Sequence, residues 1–164
     1  MNDTAILAGK KLLIVDDEPD VLETLKELLE MCDIDTAADF ASAEKLLNQN
    51  QYDMAVLDIM GVKGYDLLEI ANQKGIPALM LTAHALSSDN FAQSILAGAK
   101  AYIPKEKMSD IAIYLADLLK VQAGAQKPFA WFRRLRAFFD TQFGRDWLEK
   151  YNELKNKAGG LFEE

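Results

Sequence analysis

Five short apolar runs, each followed by a stretch of helical periodicity, set the tightest limit on what this chain can fold into. The runs cover residues 11–15, 34–37, 53–57, 78–81 and 101–103. Each has the length of a strand and is too short for a buried helix. Between and after them, helical patterns occupy 19–31, 41–48, 65–72, 87–97 and 108–121. In the first, Val21, Leu22, Leu25, Leu28 and Leu29 recur at helical spacing, and Pro19 suits an early helical position. Asp39 or Ser42 can cap the second helix and Ser87 or Ser88 the fourth, which Gly98 ends. Five strand–helix repeats with short connections imply an α/β fold, a parallel sheet covered by helices on both faces. Right-handed crossovers then wind the chain first one way and then the other. In the strand order 2-1-3-4-5 the winding reverses between the first and third strands.

The polar residues at the ends of these runs carry the chemistry. Asp16 and Asp17 close Lys11-Leu12-Leu13-Ile14-Val15, and Asp58 ends Met54-Ala55-Val56-Leu57. Later runs finish at Thr82 and lead up to Lys105. In an open α/β sheet this carboxyl edge is where ligands bind, and the reversal sets Asp16 and Asp17 beside Asp58. Three carboxylates so close repel one another unless a cation joins them. Oxygen-only ligation suits Mg²⁺, which takes one or two carboxylates together with phosphate oxygens. A carboxylate also serves as a nucleophile toward phosphorus. Phosphoryl transfer asks mainly for alignment, with positive charge and hydrogen-bond donors around the equatorial oxygens, which Mg²⁺, Lys105 and the Thr82 hydroxyl can supply.

The remaining composition narrows the setting. A chain of 164 residues suggests one compact domain with some forty residues to spare. Its net charge of −8 is unevenly spread. Residues 1–121 carry 10 Lys+Arg against 20 Asp+Glu, whereas 122–164 carry 8 against 6. So acidic a body argues against non-specific nucleic-acid binding. One cysteine, Cys32, excludes an internal disulfide and fits a reducing compartment. The N-terminus lacks the basic leader and apolar core of a signal peptide. No apolar run approaches the ~18–20 residues of a membrane span, so a cytoplasmic setting is expected.

After Val121 the pattern changes. Residues 122–128 read as a linker, and Phe132, Leu135, Phe139, Phe143, Trp147, Tyr151 and Leu154 then recur every three or four residues. This is an amphipathic helix with Pro128 near its start and Gly159-Gly160 beyond its end. Unbroken over 128–157 it would be about 45 Å long, although Gly144 costs roughly 1 kcal/mol and can split it. Arg133, Arg134 and Arg136 form a basic cluster, but Asp140, Asp146, Glu149 and Glu153 follow on the same helix, against nucleic-acid or membrane binding. The aromatic stripe is expected either on its own domain or on another chain, as a homodimer or in a partner's groove.

Four segments together resemble the receiver domain of two-component response regulators. They are Ile14-Val15-Asp16-Asp17-Glu18-Pro19, Val56-Leu57-Asp58-Ile59-Met60, Leu79-Met80-Leu81-Thr82-Ala83, and residues 97–105, Ala-Gly-Ala-Lys-Ala-Tyr-Ile-Pro-Lys. The resemblance covers about residues 9–121, leaving 122–164 as a linker and helical extension. It implies a flavodoxin-like, doubly wound five-stranded parallel sheet of order 2-1-3-4-5. It further implies that Asp58 accepts a phosphoryl group from a histidine kinase or phosphotransfer protein. Asp17, Asp58 and the Met60 backbone carbonyl would ligate Mg²⁺, with Asp16 acting through water. Lys105 would pair with the Asp58 carboxylate or its phosphate, Thr82 would swing to the phosphate, and Tyr102 would turn inward in response. The chain would then be a signalling switch rather than an enzyme.

Other readings stay beside this one. Asp16 and Asp17 can simply cap the first helix, and Tyr102 can be an edge-strand aromatic. His84, the single histidine, either borders the pocket or is a solvated loop residue. Val62 stands where the family usually has proline, and Gly64 arrives about two residues early, so the loop after Asp58 is shortened. Pro104 precedes Lys105 and Glu106 follows, the reverse of the family's lysine–proline pair. A cis Lys105–Glu106 bond would cost roughly 3–4 kcal/mol, so trans geometry or local strain is expected. These departures motivate a phosphorylation-independent scaffold as the alternative. Asp16-Asp17-Glu18 lacks the D-x-D spacing of haloacid-dehalogenase-like phosphatases, the enzyme reading.

Overall fold

A computed structural model describes residues 3–83 and 87–151. After a 3-10 turn at Ala5–Leu7, strands and helices alternate as β1 (Lys11–Val15), α1 (Pro19–Leu28), β2 (Asp33–Ala37), α2 (Phe40–Gln49) and β3 (Met54–Asp58). They continue through α3 (Gly64–Gln73), β4 (Ala78–Thr82), α4 (Ser88–Leu96) and β5 (Ala101–Pro104). A 3-10 helix at Lys105–Asp110 leads into α5 (Ile111–Gln122). Then come α6 (Ala130–Phe143) and a 3-10 turn at Trp147–Lys150. The strands form one parallel sheet in the order β2-β1-β3-β4-β5, as the alternation implies.

The central strands are buried on both faces, which is why β3 and β4 read as unbroken apolar runs up to Asp58 and Thr82. The β2 edge is blunted by Asp33 and Asp35, which keep partial or full access to solvent. Helix α1 packs near α5 on one face, and α2 packs against α3 on the other. The helix signals act where the sequence puts them. Pro19 opens α1, Asp39 Oδ1 accepts the Ser42 N–H at 2.8 Å, and Ser87 Oγ accepts the Asn90 N–H at 3.1 Å. Gly98, at φ +101°, follows the last residues of α4. The helix predicted from residue 108 begins later, because Lys105–Asp110 winds as a 3-10 helix first.

At the C-terminus the structure decides between the unbroken and the split helix. Helix α6 stops at Phe143, because Gly144 takes φ +92°, which an α-helix cannot accommodate, so the split that Gly144 allowed is the outcome. Leu154 and Gly159-Gly160 lie outside the described residues. The stripe also chooses between its two possible mates. Trp131, Phe132, Leu135, Phe139 and Trp147 are buried within their own chain. Phe91 on α4 is the hub, with ring centroids 5.9, 5.5, 5.1 and 4.9 Å from Trp131, Phe132, Phe139 and Trp147. Each buried aromatic contributes roughly 1.5–3 kcal/mol, so the docking is substantial. A bidentate pair reinforces it. Arg134 Nε and Nη2 donate to Oδ2 and Oδ1 of buried Asp117 on α5, at 2.8 and 3.1 Å. With α6 laid over it, β5 is a fully buried edge strand.

Candidate functional site

The register of β1 and β3 pairs Val15 with Leu57, so the next residues of both strands reach the sheet edge together. Those residues are Asp16, Asp17 and Asp58. On the other side, Thr82 of β4 pairs with Pro104 of β5, and Lys105 comes one step later. The sheet thus brings together four of its five strand ends and all five polar side chains singled out above. Asp17, Asp58, Met60, Thr82 and Lys105 line one cleft of about 130 Å³.

Within it Asp16 and Asp58 are buried, at 1% and 5% exposure. The Lys105 ammonium lies 2.9 Å from Asp16 Oδ2, 2.8 Å from Glu18 Oε1 and 3.5 Å from Asp58 Oδ1. Asp16 Oδ1 accepts the Glu18 N–H at 2.9 Å, which orients its carboxylate. Helix capping does not account for these acids. Glu18 holds the N-cap position of α1, and no side chain caps it. One carboxylate oxygen from each of Asp16, Asp17 and Glu18 falls within a 4.8 Å span.

Glu18 is the site residue that sequence reasoning missed. Its signal was the third acid in Asp16-Asp17-Glu18, but its partner lies 87 positions away and only the fold joins them.

Four acids around one ammonium leave the cleft short of positive charge. The Asp58 carboxyl is pushed up to about 7 by burial and by Asp16, with Lys105 only partly opposing them. Burial pulls the Lys105 ammonium down, yet its bonds to Glu18 and Asp16 prevail and raise it above the usual lysine range. The Lys105 hydrogen bond holds Glu18 below the ordinary carboxylate range. Asp16 Oδ2 is buried without an aligned hydrogen bond and faces that ammonium at 2.9 Å. A donor set of carboxylates with an under-satisfied buried oxygen fits a hard divalent cation.

The loop after Asp58 is tightly held. Ile59 and Val62 are buried, while the Met60 side chain is 65% exposed. Gly61 takes φ +82°, and a Cβ there would lie 2.5 Å from Asp17 Oδ2. At Gly64 a Cβ would lie 2.1 Å from the Asp58 carbonyl oxygen, and its N–H donates to the Ile59 carbonyl at 3.2 Å. The early glycine therefore has a steric reason. The Lys105–Glu106 bond is trans, since no described peptide bond is cis, and Lys105 opens a 3-10 helix instead.

Tyr102 is fully buried and faces inward, 5.2 Å from the Phe91 ring in a T-shaped arrangement and 6.0 Å from Phe139. His84 lies outside the described residues. A larger apolar cleft of about 480 Å³, lined by Pro77, Ile95, Leu118 and Phe129 among others, sits toward the opposite edge of the sheet and contains no acid.

A doubly wound parallel sheet with its acids and lysine gathered at the carboxyl edge defines the class. The family model for the response regulator receiver domain matches residues 12–115, and the chain belongs to that family. It is 36% identical over 98 residues to the heme response regulator HssR of Staphylococcus aureus (strain Newman), covering 57% of this chain and 43% of that protein. It is 33% identical over 103 residues to the two-component response regulator ARR18 of Arabidopsis thaliana, covering 59% and 16%. The chain thus spans less than half the length of these relatives. Among solved structures it is similar to a CheY-like receiver domain protein from Methanospirillum hungatei JF-1, with a TM-score of 0.64 and 27% identity, over 71% of this chain and 98% of that one. Among the described residues no helix is long and apolar enough to cross a membrane.

Proposed function

We propose that this chain is a phosphorylation-dependent switch in two-component signalling, with residues 9–121 as receiver and 122–164 as a helical extension. Asp58 is its phosphoacceptor. A carboxylate oxygen of Asp58 attacks the phosphorus of a phosphohistidine on a kinase or phosphotransfer protein. The O–P bond forms as the N–P bond breaks, and the departing imidazole takes up a proton. Lys105 sits between Asp16 and Asp58 and can follow the growing negative charge from one to the other. Thr82 can donate its hydroxyl to a phosphoryl oxygen.

Asp17, Asp58 and the Met60 carbonyl would hold Mg²⁺ directly, and Asp16 through water. When bound, Mg²⁺ supplies positive charge to the phosphoryl oxygens and neutralises the crowded carboxylates. The chain in this reading is not an enzyme, and a cytoplasmic setting beside its kinase goes with it.

The observation that carries the reading is the Lys105 ammonium set among Asp16, Glu18 and Asp58 at the carboxyl edge of the sheet. Incubation with Mg²⁺ and a small acyl phosphate should add one phosphate, seen by intact mass, and Asp58→Asn should take none. Undiminished labelling of Asp58→Asn would overturn the assignment.

The competing reading is a receiver-like scaffold that works without phosphorylation. The shortened loop and the trans Lys105–Glu106 bond favour it. Partner binding and oligomeric state that stay unchanged after full phosphorylation would decide for it.

A further inference from the structure

We propose that the apolar cleft at the amino-terminal edge of β4 and β5 binds a small amphiphile with an apolar body and a single carboxylate, with Lys100 as its counter-ion. It shares no residue with the acidic cleft, so the site stands or falls independently of the phosphoacceptor.

Both parts of the chain build it. Ile95 of α4, Leu118 and Val121 of α5 and Pro77 ahead of β4 line the receiver side, and Pro128 and Phe129 of the extension complete the lining. Its volume of about 480 Å³ is that of a small-molecule pocket, and such pockets present apolar walls with a few convergent polar groups. The extension is held in place at this point. Arg133 Nη1 donates to the Pro128 carbonyl at 3.1 Å, and the Phe129 carbonyl accepts the N–H groups of Phe132 and Arg133 at 2.9 and 3.2 Å. Phe129 holds φ +65°, a left-handed conformation disfavoured for a residue with a Cβ. Strain of that kind persists only where the surroundings enforce it, and it concentrates at ligand clamps. Here the strained residue is itself part of the lining.

The polar groups select the ligand. Two helices end here, and their last carbonyls would repel an anion if left open. They are closed. At the end of α4 the N–H groups of Ala97, Gly98 and Ala99 donate to the carbonyls of Gln93, Ile95 and Ser94, and Asn72 Nδ2 donates to the Ala97 carbonyl at 2.7 Å. At the end of α5 the N–H groups of Ala123, Gly124 and Ala125 donate to Leu119, Val121 and Lys120. Polar contact with a ligand then rests mainly on two side chains, Lys100 and Gln122. Lys100 is the one charged residue of the lining, and among the described residues no carboxylate pairs with its ammonium, in a chain of net charge −8. Its own N–H donates to the Ala78 carbonyl at 2.8 Å, which fixes the residue beside the cleft. A lysine stem can lie along apolar surface while its ammonium meets a carboxylate. One cation beside an apolar volume matches one negative head on an apolar body. A dianion would keep an unmatched charge, and a sugar would meet walls that cannot hydrogen-bond it.

The full chain would be titrated with octanoate and with 4-phenylbutanoate, by calorimetry and methyl NMR, with octan-1-ol as the uncharged control. At least one acid should bind with a Kd below about 1 mM and shift the methyls of Ile95, Leu118 and Val121. Octanol should bind about tenfold more weakly, for want of the charged contact. Lys100→Glu alters an exposed side chain and should lose the acids while taking octylammonium in their place. Val121→Trp fills the cleft and should abolish binding of every probe; should it fail to fold, Lys100→Glu decides alone. Absence of binding by both acids overturns the proposal, as do shifts confined to residues outside the cleft. Equal affinity for octanol, or acid binding unchanged in Lys100→Glu, overturns the carboxylate assignment. A dimer that octanoate dissociates, seen by sedimentation, would assign the cleft to a second copy of the chain and overturn the small-molecule reading.

Discussion

The Lys105 ammonium lies closer to Asp16, at 2.9 Å, than to Asp58, at 3.5 Å. The lysine is therefore committed mainly to the buried acid of β1 and to Glu18, and the carboxylate at the end of β3 keeps an oxygen facing the cleft. That asymmetry fits a nucleophile awaiting an electrophile better than a closed structural ion pair. It also explains why one ammonium does not bring Asp58 down to the ordinary carboxylate range.

Lys105→Met should destabilise the metal-free protein by about 2 kcal/mol, because it leaves Asp16 buried and without its cation. Saturating Mg²⁺ should recover part of that loss, since a cation that binds only the folded carboxylate set stabilises it by mass action. Urea unfolding with and without Mg²⁺ measures both. Equal midpoints for variant and wild type in chelator would count against the arrangement.

Asp58 makes stability depend on pH. Its carboxyl is raised from 3.8 to about 7 in the fold. A raised acid contributes stability that is complete below its unfolded value and is lost as pH rises through the folded one. In chelator, Asp58→Asn should be more stable than wild type by on the order of 2 kcal/mol at about pH 8. The gain should fade toward about pH 4, where both side chains are neutral. A difference constant across that range, by urea unfolding, would contradict the burial described for Asp58.

Gly64 and Gly75 offer a contrast between steric and conformational cost. Gly75 has φ +72° with open space where a Cβ would go. Gly75→Ala should cost about 1 kcal/mol, from backbone conformation alone. Gly64→Ala drives a methyl into the Asp58 carbonyl and should cost more, roughly 2–4 kcal/mol, while lowering the rate of labelling by acyl phosphate. Thermal unfolding and a labelling time course test the ranking. Equal costs would show that the loop relaxes freely.

The Arg134–Asp117 pair should respond unequally to its two truncations. Arg134→Ala leaves a carboxylate buried at 1% exposure with only a 3.4 Å contact from Gln126, and should cost roughly 2–4 kcal/mol. Asp117→Ala leaves an arginine that is 46% exposed and can turn to water, so it should cost about 1 kcal/mol. The double variant should resemble Asp117→Ala. Denaturation of all three checks the order, and a reversed order would mean that α6 docks without this contact.

Much of the architecture was legible because it depends on local rules. The apolar runs that became β1 to β5 are short and β-rich, and the caps at Asp39 and Ser87 act within three residues. Gly144 interrupts the C-terminal helix for a reason written in its own backbone. The positions of Asp16, Asp17, Asp58, Thr82 and Lys105 were likewise readable, since an alternating βα chain sends every strand end to the same edge.

Other features depended on which distant surfaces meet. Periodicity in α6 identifies an apolar face but not its mate, and only the packed structure seats Phe139 and Trp147 against Phe91. Glu18 joins Lys105 because two loops far apart in the chain converge at one edge of the sheet. The inward position of Tyr102 beneath the C-terminal segment is of the same kind. Local sequence sets what each piece can be, whereas long-range burial and charge neutralisation, available only once the sheet has formed, decide what each piece touches.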